Sequence, residues 1–563
     1  MKRINYGFVI LLIVLSIGSI ISSCNKSVDG NIEDGSTRRS FTPSKLKVTT
    51  KRDSAVFTFA APLFAVNGLT YTIEISKDTS FSTIDYSVVT DTTMAVVTDA
   101  NIALGTPYHA RVTVNPYKSF AASNYYLPTG TFKLVGIQYL KVIRDFEIST
   151  SSVLLHWYVN NYTSGVTKMV LSPSGGTPIE FPITAGEAGT GEKNITGLNP
   201  AKKYAIQLFA GTKSMGTGTV TTYPNINFTT TLSSGDDLAT AITNAVDGDI
   251  IGLNPGSYSL TSATQIVQKN IAIRSVSNNP ADTKILSREL DIVGDGAGLT
   301  IAGVEVNGNY SVSSYGATFL QMFGSVATNG VAANFNNIII DNCIIHDYTR
   351  CLIRGNYGAA PNNFKISSIA ISNSQIYNID QINTTTGSYM LSLEKVEFTT
   401  ISFTKSTFYS TGEGMINMST ALAIPTTIPS IVVDYCTMNN VGGNNKYLLF
   451  DANANIVNYA IANSILANTP INSPTNNFLN PKAFRATAIG SSLSFSFNNY
   501  FNFTSAPGYD LGINGLDQLN NNTVDLGWLP TTTNFSLAPL SADNPVFTAS
   551  TNEAAIGDPR WAY

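Results

Sequence analysis

Charge is scarce in this chain. Lys, Arg, Asp and Glu make up only 12% of its 563 residues, and the formal net charge is −4. So thin and slightly acidic a balance gives no basic footprint for nucleic acid. Three His and four Cys, with no Cys-x-x-Cys, leave little material for a metal centre, and none is expected. A long apolar run occurs at Phe8–Ile21, and it is short for a stable membrane span. What the chain does have in quantity is Asn, Ser and Thr around short apolar alternations, which suits a secreted β protein with polar faces. Its length predicts two to four domains.

The C-terminal half repeats a loose phrase, apolar-x-apolar-x-Asn-Ser/Cys-x-apolar. It runs Ile338–Ile345 around Asn342-Cys343 and Ile369–Ile376 around Asn373-Ser374. Degenerate copies surround Lys405-Ser406, Tyr435-Cys436 and Asn463-Ser464, with an earlier relative at Gly303-Val304. From Asn342 to Asn463 the fifth residues stand 31, 32, 30 and 28 apart. Short alternating strands at that period predict a β-solenoid. Alternation points Ile369 and Ile371 inward, and the phase breaks at Asn373 before Ser374 and Ile376 point inward again. A residue at the break must tolerate the left-handed conformation, which Asn and Gly adopt most cheaply. The stacked asparagines are expected to share amide hydrogen bonds. The inward column beside them makes Cys343 and Cys436 buried fillers rather than ligands or nucleophiles, and Cys351 is read the same way.

This pattern resembles the right-handed parallel β-helix of the pectate-lyase-like superfamily. Leu238–Val246, then Asp247-Gly248-Asp249-Ile250-Ile-Gly-Leu253 and Pro255-Gly256-Ser-Tyr258, is similar to that superfamily's N-terminal cap. A cap is needed because the first coil otherwise exposes an open edge and core. The resemblance covers about residues 230–525 and implies a fold rather than an activity.

Met1-Lys2-Arg3 followed by the Phe8–Ile21 run reads as a secretory signal over residues 1–23. Ile21-Ser22-Ser23-Cys24 resembles the bacterial lipobox, which implies lipidation at Cys24. Residues 24–40 are then a tether, with Asp29, Glu33 and Asp34 loosely similar to surface-export signals of Bacteroidetes-type lipoproteins. Residues 41–134 and 135–225 each show short strands with turn signals. Ile102-x5-Tyr108 and Leu198-x5-Tyr204 resemble the tyrosine corner of fibronectin type III domains. Trp157 is read as core rather than as a sugar platform, and its neighbour His156 as a surface residue. The expected architecture is all-β: two fibronectin type III-like sandwiches, then a single-stranded parallel β-helix over 226–525, then a C-terminal segment over 526–563.

In pectate-lyase-like helices the working groove lies over the strand that follows the Asn-turn pair. Here it includes Arg350–Arg354, Leu391–Glu394, Gly414–Ser419 and Tyr447–Asp451. Alternation predicts outward columns of Arg350, Met390, Met415 and Tyr447, and of Arg354, Glu394, Ser419 and Asp451, flanking Ser392 and Asn417. Glycan-binding candidates are Arg350, Arg354, Glu394, Asn417, Tyr447 and Asp451, and Tyr389 and Phe319 are further stacking candidates. A lyase acting next to a uronate needs a base, for which Arg354 is the candidate with Lys365 and Lys395 nearby, and something to neutralise the carboxylate, usually Ca²⁺. No dense acidic cluster for Ca²⁺ is evident, and Asp380, Glu394, Glu397 and Glu413 are too dispersed to form a glycosidase pair. An Arg354–Glu394 surface ion pair is the structural alternative.

The ending Ile556-Gly-Asp-Pro-Arg-Trp561 resembles those of β-helix lipoproteins from glycan-utilisation loci, whose partners are TonB-dependent transporters and pectin- or alginate-degrading enzymes. Physically the tail is expected to cap the last coil, with Trp561 over the open core. Together these readings give a monomeric outer-membrane lipoprotein, facing the cell exterior, that binds a pectin- or alginate-like polysaccharide without cofactor and passes it to uptake machinery. A polysaccharide lyase remains the alternative, and an adhesin or structural stalk a second.

Overall fold

The computed structural model describes residues 38–563 except 161–162, 164, 326–330, 357–363, 381–387, 395, 421–427, 443–446, 469–481, 503–508, 518, 541–543 and 552–553. Cys24 and Lys395 lie outside the described residues, as do the side chains of Tyr447 and Leu448. The chain divides into two units after Gln138.

The first unit is a sandwich of two antiparallel sheets. Ser44–Thr50, Ser54–Ala60 and Met94–Thr98 form one; Tyr71–Ser76, Tyr86–Thr90 and His109–Val114 form the other. Alternation buries Ala55, Phe57 and Phe59 against Tyr71, Ile73 and Ile75. The Tyr108 hydroxyl accepts the Ala103 N–H at 3.1 Å, which closes the tyrosine corner.

The second unit begins with a similar module. Lys168–Pro173, Ile179–Pro182, Lys203–Ala210 and Lys213–Thr221 form a four-stranded sheet, opposite the pair Ser152–His156 and Glu192–Thr196. Tyr204 accepts the Asn199 N–H at 2.8 Å, and Trp157 is buried in the core as expected. His156 is less exposed than alternation implied, because its Nε2 lies 2.7 Å from Glu147 and its ring packs beside Tyr563.

From Thr230 onward the chain winds as a parallel β-solenoid. The helix Leu238–Asn244 closes its N-terminal end, capped by the Asp237 carboxylate on the Thr240 N–H. At its other end Lys269 Nζ donates to the carbonyls of Ile242, Thr243 and Ala245. Leu238 and Ile242 face the core.

Each full coil carries three strands, and like strands stack into three sheets. Ile338–Asp341, Ile344–Tyr348 and Cys351–Arg354 are the three of one coil. The first sheet keeps the register read from the repeat, Ile301, Ile340, Ile371, Phe403, Val433 and Ile461. The turn that follows is left-handed at Gly303, Asn342, Asn373, Lys405, Tyr435 and Asn463, with φ between 47° and 70°. In the buried column beside it hydroxyls wire three of the coils to the next. Cys343 N–H donates to Ser374 Oγ, Ser374 N–H to Ser406 Oγ, and Cys436 N–H to Ser464 Oγ, at 3.0–3.1 Å. Burial pushes the Cys343 thiol up to about 12, so it is an inert filler.

The turn asparagines do not form an amide ladder with one another. Asn373 Nδ2 donates to Asp341 Oδ1 at 2.9 Å, and Asn463 Nδ2 to Asp434 Oδ1 at 2.8 Å. Lys405 and Tyr435 interrupt the column, and the carboxylate one residue before the turn is the stronger acceptor. A second left-handed column, at Asp347, Asn378, Ser410, Asn440, Asn468 and Asn502, does bond from coil to coil. Asn378 reaches Asp347 Oδ1 and Asn502 reaches Asn468 Oδ1.

Among the described residues, the C-terminal segment does not cap the last coil. It runs back along the outside of the second sheet, where Tyr409, Ile465, Ala467 and Phe501 form a cluster with Trp528, Phe535, Val546 and Ile556. Gly557 N–H donates to Asn463 O, Asp558 accepts from Thr407 Oγ1 at 2.7 Å, and Arg560 donates to Asn373 O at 2.7 Å. Trp561 meets Phe535 edge-on at 5.5 Å and donates to Thr407 Oγ1. The physical reason is the apolar outer face, which would otherwise stand in water.

Candidate functional site

The third sheet carries the residues singled out for function. Its core-facing row is Leu290, Leu320, Ile353, Leu391, Ile416, Phe450 and Phe484, all buried. The next residue along each strand points the other way. That row reads Gln265, Asp291, Gln321, Arg354, Ser392, Asn417, Asp451 and Arg485, eight polar residues in register. Adjacent rungs are about 4.8 Å apart.

The expected column of Arg354, Glu394, Ser419 and Asp451 is therefore corrected. Arg354 and Asp451 share a row, but with Ser392 and Asn417 between them, and Glu394 and Ser419 lie two residues further along. Met390 and Met415, expected outside, are fully buried members of the solenoid core. Flexible thioethers fill gaps beside the strand starts, where the coil bends. Tyr389 and Phe319 are buried too and offer no stacking face. Tyr447 pairs in register with Lys482.

Asp451 is held by Arg485 through two bonds, Nε–Oδ1 at 2.6 Å and Nη2–Oδ2 at 2.7 Å. Two parallel charge-assisted bonds fix both side chains. Arg354 Nε–H donates to Asn356 Oδ1 at 2.8 Å, and Asn417 Nδ2 donates to Glu394 Oε1 at 3.0 Å. Lys365 pairs with Glu397 at 3.0 Å.

Two acidic groups on this side of the solenoid sit near neutrality. Glu289, two residues before Asp291, is pushed up to about 7 by burial and by the Asp291 charge, against the opposing pull of Arg288 and Arg354. Asp291 is raised as well, chiefly by burial. Asp380 also reaches about 7, through burial and then the neighbouring Glu413, with Arg350 opposing. Its Oδ2 accepts the Ser388 N–H at 2.6 Å. Asp380 and Glu413 are thus nearer than the sequence suggested. Arg350 is half-buried beside them.

This donor set does not fit Ca²⁺. The ion takes six to eight oxygens, mostly from ionised carboxylates, whereas burial pushes Glu289 and Asp291 towards their neutral forms and Asp451 is tied to Arg485. Among the described residues no group of three acidic, His or Cys side chains could hold a metal.

The sequence reading missed Arg485, Gln321, Asp291 and Glu289. Arg485 stands 34 residues after Asp451, and Asp451 34 after Asn417, so a period count along this row finds it. The intervals before it vary from 25 to 38, because the connections differ in length.

Residues 256–411 match the model of a domain of unknown function (DUF4957). No curated protein matches the chain. Among solved structures, a PL6 family alginate lyase, AlyGC, aligns over 61% of this chain at 15% identity with a TM-score of 0.39. The alignment takes in 46% of the lyase, so the chain spans about half that protein's length. A two-domain fibronectin type III segment of chicken tenascin aligns over 32% of this chain and 99% of its own, at 15% identity and a TM-score of 0.16. The FN1–FN3 domains of chicken CNTN1 align over 33% and 69%, at 12% identity and the same TM-score.

Proposed function

We propose that the outer row of the third sheet binds an extended polysaccharide chain and presents it without cleaving it. The observation that carries this reading is the polar row from Gln265 to Arg485, in which the half-buried Gln265, Arg354, Asn417 and Arg485 present polar groups at the surface and the buried Asp291, Gln321, Ser392 and Asp451 stand between them. Its rungs repeat at about 4.8 Å, close to the advance of one sugar along an extended glycan, so successive sugars meet successive rungs in one register. Amide, carboxylate, hydroxyl and guanidinium groups are interspersed along it, which suits a hydroxyl-rich chain with scattered charges rather than a uniformly charged polymer. The Asp451–Arg485 pair holds two of these groups in place before ligand arrives, which lowers the ordering cost of binding.

A second reading, a uronate-polymer lyase with Arg354 as base, is favoured by one observation. Glu289 titrates near neutral pH within electrostatic reach of Arg354, which is where a proton-transferring group belongs. A glycan-panel pull-down run beside an absorbance assay for unsaturated uronate separates the two. Retention with no product supports binding, and product supports the lyase. The same proposal makes the protein a lipid-anchored surface protein of the outer membrane through Cys24, handing glycan to uptake machinery. Membrane fractionation of a Cys24→Ser protein tests that anchor.

A further inference from the structure

One end of the first sandwich carries an apolar patch that its own fold leaves open. Phe64 is 84% exposed, Leu63 72%, Phe41 56% and Val66 55%, with Phe120 also exposed. Three segments bring these side chains together. Phe41 and Phe64 meet with ring centroids 5.8 Å apart. Tyr117 Oη–H donates to the Asn67 carbonyl at 3.1 Å, which ties the 62–68 loop to the turn that bears Phe120. Arg39 pairs with Ala121, and Ser40 N–H donates to Ala121 O, which ties the same turn to the incoming chain. Buried Pro62 and Leu69 hold the ends of the loop, so its apolar middle is displayed rather than collapsed.

The segments that carry the patch have one sign of charge. Arg38, Arg39 and Lys118 are exposed on these segments, and residues 38–50, 60–70 and 115–121 contain no Asp or Glu. Single exposed apolar residues are ordinary, but a contiguous set with a basic rim marks an interaction surface. Clustered apolar side chains flanked by Arg and Lys are what an anionic bilayer surface takes up, the apolar groups entering the headgroup boundary and the cations meeting lipid phosphates.

We infer that this patch docks on the anionic lipid surface of the membrane. The position of the patch in the chain supports this occupant. It lies where the described chain begins, 14 residues after Cys24, and 14 residues span at most about 50 Å even when fully extended. An anchored protein therefore keeps the patch within reach of the bilayer. The patch itself needs no lipid on Cys24, so its test is independent of the anchor.

The test uses the mature chain with Cys24→Ser and vesicles of phosphatidylethanolamine with or without phosphatidylglycerol. Sedimentation with the anionic vesicles is expected, weaker in high salt. The Leu63→Ser/Phe64→Asn variant should bind at least about ten-fold less, the effect of removing two buried apolar side chains. Asn suits the left-handed backbone at Phe64, φ 56°, so folding is preserved, and an unchanged thermal midpoint checks this. Arg38→Ala/Arg39→Ala should lower binding to anionic vesicles alone. Failure of the parent chain to sediment, or equal sedimentation of the loop variant, overturns the inference. So does concentration-dependent dimerisation that the loop variant abolishes in the absence of vesicle binding, since the patch would then belong to a second copy.

Discussion

At Asn373 one side chain meets two demands. Its backbone sits at φ 50°, where a Cβ-bearing residue is strained, and its amide bonds to Asp341 on the preceding coil. Replacing it with Ala keeps the strain and loses the bond, so Asn373→Ala should cost about 1–2 kcal/mol in urea unfolding, with Asn373→Gly costing less. This turn was legible in the sequence because Asn and Gly recur there. The parallel column through Asp347, Asn378 and Ser410 was not, since no single residue type marks it. Asp380 offers a second test at this scale. Its folded pKa, about 7, lies above the ordinary carboxyl value, so the native state holds the proton more tightly than the unfolded chain does. The stability it contributes is full below about pH 4 and is lost as pH rises towards about 7. Asp380→Asn removes that titration. Its unfolding free energy should exceed the parent's by about 1–3 kcal/mol at about pH 8 and match it at about pH 4.

At the scale of elements, strand alternation fixed the first sheet's register, and tyrosine spacing fixed both sandwich corners. Alternation failed at the start of the third-sheet strands, where Met390 and Met415 turn into the core although their positions read as outward. It was also silent on the tail, because nothing in Ile556–Trp561 says which surface it covers. That surface is set by Tyr409, Ala467 and Phe501, whose outward positions look like scattered exceptions until the coils are stacked. Trp561→Ala should therefore lower the unfolding free energy by about 2 kcal/mol, less than a fully buried Trp would cost. Binding of an apolar dye to the native protein should rise with it. If the tail covered the open last coil instead, the Thr407→Val change would leave stability untouched, whereas here it removes the partner of buried Asp558 and of the Trp561 indole.

At the scale of the whole molecule, a solenoid turns small repeated choices into a long row. The row from Gln265 to Arg485 was only partly legible, through Arg354, Asn417 and Asp451, because connections of unequal length hide its period. Its regularity makes a quantitative claim about ligand. Titration calorimetry with a size series of oligosaccharides, from the polymer that the glycan panel selects, tests it directly. Affinity should climb with each added sugar and level off at about eight, one for each rung from Gln265 to Arg485. Arg354→Ala and Asn417→Ala should flatten the climb at their own rungs. Affinity independent of chain length, or unchanged in both variants, would contradict the account.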